Sequence, residues 1–514
     1  MRIVIEFNSK ELGVVITPPQ TVEYIISKLG EIKDEQKILD PCVGPGIFIK
    51  KLIESGVGKN QLFAYDINSS FQKEIEKLGI IFKRQDTLIA LYPDSYKEFD
   101  YIVGNPPYLN KASAYVRKNK LKLRKIYGKI NAHETYAMFI VNSIWRLKEG
   151  GKLGFITSDS FLTLSTHKKL RRFILNNCKI NEILLAPKNL FSNQNVSTSP
   201  VIIILTKCSG QKNRKLRENN KMKIIPRVNS EDDYYTPQIL YENEQLKYNS
   251  LPFNIFFTEV EDEVIDLFEK APKLEDFIQG YIGMHTHDNK RFIAAIEGTE
   301  LAKIFRKRNK KIIDSDRKYR IIERENLKSN QWKPYLKRGG ADQYYRPIME
   351  VLDWNKESLD KYDIPKNVPF EKEGIIISGV STRLAARYMS RGCYWDSNKA
   401  IGFITKEKTI SIPYILGVLN SSLYNYLAKG IINNTSSIQI TGIHALPFVL
   451  PDNETKEKIE NLVNTIINSK KEDENYEYVL EQKEIDKIIF NLYADRFNFS
   501  MSLKDRLDQF FSIY

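Results

Sequence analysis

The stretch Asp100-Tyr101-Ile102-Val103-Gly104-Asn105-Pro106-Pro107-Tyr108 constrains the fold of this chain more than any other. Its apolar run, closed by a glycine, predicts a buried parallel strand. Two prolines then stop the strand, since neither has an N–H for a ladder and both fix φ. Asn105 and Tyr108 are thereby set at a strand's carboxyl end, where open α/β sheets bind ligands. Asn105 offers a side-chain carbonyl, and Pro106 a backbone carbonyl with no competing N–H. Two convergent acceptors suit an exocyclic amino group, which has two hydrogens to donate. Tyr108 offers a flat face on which a base can stack. A proline turn with a surface tyrosine would read the same way in isolation, so the neighbouring segments carry the weight.

Those segments could seat a sugar-bearing ligand. Thr17-Pro18-Pro19 precedes the helical spacing of Val22, Ile25, Ile26 and Leu29, with Thr17 as the expected N-cap and Pro18 as the first helical residue. Ile38 and Leu39 end a short strand, followed by Asp40-Pro41-Cys42-Val43-Gly44-Pro45-Gly46. Gly44 and Gly46 permit a tight turn and close approach of backbone to ligand. With Ile49 where a third glycine would stand, the dinucleotide fingerprint fails. Pro45 also removes an N–H, giving a poor phosphate cradle but an acceptable seat for a ligand without phosphate. Asp66 ends a second predicted strand about 20 residues past the glycines, placed to accept from two ribose hydroxyls. Asp86 ends a third.

Residues 111–129 hold eight lysines and arginines and no acid. Lys120, Lys122, Arg124 and Lys125 are read as a mobile arm gripping a phosphate backbone. The net charge of +14 also favours a polyanion. A helix over 133–148, ended by Gly150-Gly151, should feed a fifth strand, and 183–185 and 201–205 two more. The polar, basic stretch 211–223 reads as a linker. Beyond it, aromatic and basic residues lie on glycine-broken strands, with Arg338, Arg346 and Arg383 as candidate nucleic-acid contacts. Four cysteines without a Cys-x-x-Cys pair indicate neither a zinc knuckle nor a disulfide framework, and fit a reducing cytoplasm. The amino terminus is too quickly charged for a signal peptide, and no apolar run can span a bilayer. His285-Thr286-His287 could ligate metal, but with no carboxylate or cysteine pattern nearby a loop role is expected and no metal is assigned.

Asn105-Pro106-Pro107-Tyr108 resembles motif IV of the amino-group methyltransferases that use S-adenosylmethionine, most closely the TaqI-like γ class of DNA adenine-N6 methyltransferases. Asp40 through Phe48 resembles that family's motif I, Thr17-Pro18-Pro19 its motif X, and residues 189–197 its motif VIII. The resemblance implies that Thr17, Asp40, Gly44, Gly46, Asp66, Asp86 and Asn105 hold S-adenosylmethionine, Asp40 near the cationic methionine end and Asp86 at the adenine amino group. It implies that Asn105, Pro106 and Tyr108 act on a flipped adenine, with Phe191 contacting the base. No metal is implied.

The expected architecture is α/β. Residues 1–210 form a Rossmann-like methyltransferase sheet and 211–223 a linker. An α+β target-recognition domain over 224–450 and a helical segment over 451–514 follow. The expected partner is double-stranded DNA, in a prokaryotic cytoplasm, for a monomer. No nuclease-like segment precedes the first motif, so cleavage would fall to a separate endonuclease. The nearest rival is N4-cytosine methylation. More distant are methylation of RNA or of a protein glutamine, and a non-catalytic DNA-specificity module.

Overall fold

The computed structural model describes every residue except 1–12, 14, 91–97, 195–198, 258–260, 316–317, 338–339, 398, 407–409, 433–436 and 514. The chain divides into two units, residues 1–260 and 261–514.

The first unit is built on one nine-stranded sheet. Its strands are β1 (Ile38–Asp40), β2 (Leu62–Asp66), β3 (Ile81–Arg84), β4 (Phe99–Gly104), β5 (Leu147–Ser158), β6 (Cys178–Leu185), β7 (Pro200–Lys207), β8 (Lys221–Ile225) and β9 (Tyr241–Glu244), in the order β3-β2-β1-β4-β5-β7-β6-β8-β9. From β3 to β5 all pairs are parallel, whereas β7 runs antiparallel to both β5 and β6. Strand order reverses between β1 and β4. That is the switch point outside which an open α/β sheet leaves a ligand crevice. Helices α1 (Pro19–Ser27), α2 (Ile47–Glu54), α3 (Gln72–Glu76), α4 (Ala114–Tyr127) and α5 (Thr135–Arg146) belong to this half of the sheet. Burial on both faces explains the unbroken apolar runs: Ile102 and Val103 of β4 are fully buried, as is Val201 in β7.

Three expectations change. The stretch 211–223 is no linker. It contains two short helical turns and the start of β8, which pairs in parallel with β6. Lys221 and Lys223 are exposed while Met222 and Ile224 are buried, so a strand with one wet face had the composition of a loop. Just after β8, Arg227 donates to the carbonyls of Ala186 and Pro200 and pairs with Asp159 at 2.5 Å, tying strand ends together. Residues 211–244 thus belong to the first unit. Second, Gly150-Gly151 does not precede the fifth strand. It lies inside β5, where pairing with β4 shifts register between Phe99 and Tyr101. Third, the basic stretch is not a mobile arm, as described below.

The second unit carries a four-stranded antiparallel sheet, β10 (Ile278–Ile282), β18 (Ala400–Thr405), β15 (Gly374–Ser378) and β16 (Ala386–Met389). A mixed five-stranded sheet follows the order β12 (Arg320–Ile322), β11 (Ile293–Ile296), β14 (Glu350–Asp353), β13 (Trp332–Leu336), β17 (Tyr394–Trp395). The helices Asn453–Glu472 and Val479–Phe497 are part of its core, burying Ile459, Val463 and Ile466 from one and Ile485, Ile489 and Tyr493 from the other. No helix among the described residues is long and apolar enough to cross a membrane.

Candidate active site

The turn after β1 is shaped by its two glycines. Gly44 and Gly46 have φ of +49° and +81°, and a Cβ on Gly46 would lie 2.5 Å from Ile75 Cδ1. Asp66, at the end of β2, holds this turn: its Oδ2 accepts from the Gly44 amide and its Oδ1 from the Asn68 amide, both at 2.7 Å. Asp40 is buried beside it and accepts from the Cys42 amide at 3.1 Å. Burial pushes the Asp40 carboxyl up to about 8, with the neighbouring Asp66 charge adding to the effect and the Cys42 amide opposing it. Burial raises Asp66 as well, against the amides of Asn68 and Gly44.

At the end of β4, the Asn105 amide is held by one end only. Its Nδ2 donates to the Val15 carbonyl at 3.2 Å and to Thr17 Oγ1 at 3.1 Å. Its Oδ1 is buried and meets no hydrogen-bond partner among the described residues. Thr17 is therefore not the N-cap of α1. A second proline, Pro19, takes the first helical position, and Thr17 turns its hydroxyl into the site instead. The segment carrying Thr17 is clasped again by Gln194, which exchanges two hydrogen bonds with the Ile16 backbone at 2.7 and 2.8 Å. The Pro107 and Leu109 carbonyls are fixed by the Thr135 hydroxyl at the start of α5. Between these anchors Tyr108 lies 6.3 Å from Phe191 and 6.4 Å from Tyr136, centroid to centroid, and its own hydroxyl is buried with no partner among the described residues. An orphaned buried group costs about 1–3 kcal/mol, so these two atoms are the groups in this loop with most to gain from a ligand or an ordered water.

Asp86 follows β3 and receives the Tyr115 hydroxyl on both oxygens, at 2.9 and 3.0 Å. Tyr115 belongs to α4, the helix formed by the basic stretch. Ser113 caps it, and Tyr115, Val116, Leu123 and Tyr127 are its buried side. The Tyr127 hydroxyl also donates to the Leu88 carbonyl at 2.9 Å. Apolar residues at helical spacing thus dock the stretch that its charge alone presented as an arm. Lys120, Lys122, Arg124 and Lys125 are exposed on this docked helix.

Thr17, Asp40, Gly44, Asp66, Asp86 and Asn105 all line one pocket, together with Ile16, Phe48, Leu88 and Tyr115. Gly46 stands behind the wall, as the turn into α2. Pro106, Tyr108 and Phe191 lie outside this lining. Phe191 is only 2% exposed, so it backs Tyr108 more than it faces a ligand. Arg338 falls outside the described residues. Arg383 is exposed and donates to the Ala341 carbonyl at 2.9 Å, while Arg346 stands 3.6 Å from Asp342.

Residues 47–191 match the Eco57I restriction-modification methylase family, and residues 307–448 the TaqI-like C-terminal specificity domain. The chain is thus similar to a restriction-modification methylase in its first part and to a specificity domain in its second. The type II methyltransferase M.HincII of Haemophilus influenzae is 31% identical over 185 residues, 35% of this chain and 34% of its own length. M.BstVI of Geobacillus stearothermophilus, also a type II methyltransferase, is 29% identical over 239 residues, 38% of this chain and 42% of its own. The chain spans well under half the length of these curated relatives. Among solved structures, the type IIL restriction-modification enzyme MmeI in complex with DNA covers 94% of this chain and 72% of its own, at 12% identity and a TM-score of 0.58. The DrdV–DNA complex covers 89% and 57% at 15% identity, with a TM-score of 0.52. At these identities the likeness is one of fold.

The cofactor of such a methylase segment is S-adenosylmethionine, and the residues present fit it. Among the described residues no lysine or arginine lines the pocket, so a phosphorylated ligand would find no counter-charge there. Three carboxyl groups, Asp40, Asp66 and Asp86, stand at the ends of or just past three successive strands and line this pocket, a donor-accepting set that suits a ligand with cationic, hydroxyl and amino groups.

Proposed function

We propose that this protein methylates the N6 amino group of an adenine flipped out of a specific double-stranded DNA site, as the modification activity of a restriction-modification system. The observation that carries this reading is the Asn105 amide, tethered through Nδ2 to Val15 and Thr17, with Oδ1 buried and unmet among the described residues. An acceptor held ready at a strand end beside a cofactor pocket suits an amine. S-adenosylmethionine, when bound, supplies an activated methyl group. Asp40, Asp66 and Asp86 hold its charged and polar parts, with Thr17 and Gly44 in the same wall.

A base within a duplex cannot reach that pocket, so the adenine leaves the stack. Tyr108 offers its face to the flipped base, with Phe191 behind it. Asn105 Oδ1 and the Pro106 carbonyl accept the two N6 hydrogens. The nitrogen then gives up conjugation with the ring and directs its lone pair at the methyl. Positioning supplies much of the rate. No general base is assigned, because the departing proton is acidic only once nitrogen carries the new methyl. The exposed lysines and arginine of α4 hold phosphates, and the second unit selects the site.

The test is methyl transfer from labelled S-adenosylmethionine to duplex DNA, followed by nucleoside mass spectrometry. N6-methyladenine is the expected product; N4-methylcytosine would move the reading to the other amino-bearing base. Asn105→Ala should lower single-turnover transfer by more than a hundredfold, as loss of an interaction made to the reacting group does. A near-normal rate in that variant would refute the role given to Asn105.

A further inference from the structure

His285-Thr286-His287 has one obvious deficit in the sequence, the lack of a nearby carboxylate. The fold supplies one from 76 residues further on. His287 Nε2 lies 2.8 Å from Asp363 Oδ2. The main chains of His285 and Asp363 are paired as well, with N–H to O distances of 3.1 Å from His285 and 2.9 Å from Asp363. The second histidine is folded back toward the first: His287 has φ of +59°, its amide donates to His285 Nδ1 at 3.2 Å, and the rings are 4.5 Å apart. The intervening Thr286 is buried and bonds to Asn289 Oδ1 at 2.6 Å, which pins the loop from inside while both imidazoles face solvent. Ligating atoms of His285, His287 and Asp363 all lie within 4.8 Å of one another.

We propose that these three side chains form a binding site for a borderline divalent transition-metal ion of the zinc class. Two imidazoles and one carboxylate favour zinc, cobalt, nickel or copper over magnesium or calcium, which want oxygen. Bonds of about 2.0–2.2 Å span ligand atoms up to about 4 Å apart. Small rotations of exposed side chains therefore close the site, and the paired backbone need not move. The ion takes the place of the hydrogen between His287 and Asp363. The ligating nitrogen gives up that proton to solvent or carries it on the other ring nitrogen. Because all three groups are exposed, water completes the coordination shell. The site acts as a clip joining the 284–288 loop to the 363 segment of the second unit.

The test uses the whole chain, stripped with EDTA and titrated with Zn²⁺ by calorimetry in a phosphate-free buffer. One saturable Zn²⁺ per chain is expected, with a rise in Tm. His285→Ala, Asp363→Asn and His287→Asn should each weaken binding at least tenfold and abolish the Tm rise. Asparagine at 287 tolerates the left-handed backbone, so that variant keeps the loop geometry. His133→Ala, at an exposed histidine of the other unit, should leave binding unchanged. Failure to saturate, or wild-type affinity in Asp363→Asn, would reduce the cluster to a histidine–aspartate hydrogen bond and overturn the proposal.

Discussion

Asp40 is a carboxyl whose charge depends on what lies beside it. It is 2% exposed and its pKa is pushed up to about 8, by burial first. In ligand-free protein at pH 7 about nine-tenths of it is therefore the neutral acid. A cation beside a buried carboxylate favours the ionised form. If Asp40 faces the cationic end of S-adenosylmethionine, binding expels a proton, about 0.9 per site at pH 7. Affinity should then climb by up to about tenfold per unit between pH 6 and 8 and level off above 8. Calorimetry in two buffers of different ionisation enthalpy at each pH measures both quantities. Asp40→Asn should flatten the profile and end the proton release. The same shift has a stability side. A folded-state pKa raised from 3.8 to about 8 means the native protein keeps a proton that the unfolded chain releases. Stability of the ligand-free protein should fall as pH rises from about 4 to 8, by at most roughly 6 kcal/mol. Saturating S-adenosylmethionine should oppose that fall. A flat affinity profile from pH 6 to 8, or an unchanged slope in Asp40→Asn, would refute the assignment of Asp40 to the cation.

Three further outcomes follow from the geometry. Thr17→Val removes one of the two acceptors that hold Asn105 Nδ2. At about 0.5–1.5 kcal/mol for a hydrogen bond, single-turnover transfer should drop by about two- to tenfold, far less than in Asn105→Ala; equal losses would mean that Thr17 does more than tether. Replacing the exposed Lys120, Lys122, Arg124 and Lys125 with Ala should weaken binding to every DNA sequence and reduce the slope of log K against log salt by up to about 3.6. A new sequence preference at unchanged slope would contradict a phosphate role. A chimera cut at 260, where the units divide, should methylate the site of whichever protein supplied the second unit. Retention of the original site by residues 1–260 would locate recognition in the first unit.

The parts of the site legible in the sequence were those written in consecutive residues. A strand stopped by two prolines, a turn with two glycines and an acid closing β2 each carry their own stereochemical reason, and all line or border one pocket. What stayed hidden depends on pairing across distance. Tyr115 sits among lysines and shows its purpose only where its hydroxyl reaches Asp86. Gln194 lies in a polar stretch, and Ile16, which it clasps, is 178 residues away. β8 looks like a linker because a strand with one wet face needs few apolar residues, and its partner β6 lies about 40 residues earlier. The docked face of α4 is written at helical spacing, yet its density of positive charge alone describes an arm. Charge density reports a solvated face, and says nothing of what the opposite face is packed against.

Why an amide at position 105 follows from what surrounds it. The Val15 carbonyl can only accept, so the end of the side chain that faces it must donate. A carboxylate there would set an acceptor against an acceptor in a buried place, and would put a negative charge close to Asp40 and Asp66, which already share the pocket. An alanine would leave the Val15 carbonyl and the Thr17 hydroxyl without this donor and provide no acceptor at the strand end. An amide meets both demands with one planar group: its nitrogen is spent on the protein, which fixes the plane and thereby the direction in which Oδ1 points. On the proposed reading, fixing one end of the amide removes rotational freedom that would otherwise have to be lost when an amine binds. The segment around Thr17 is itself clasped by Gln194. The direction of a single oxygen at the end of β4 is thus set by loops that lie far apart in sequence and meet only in the folded sheet.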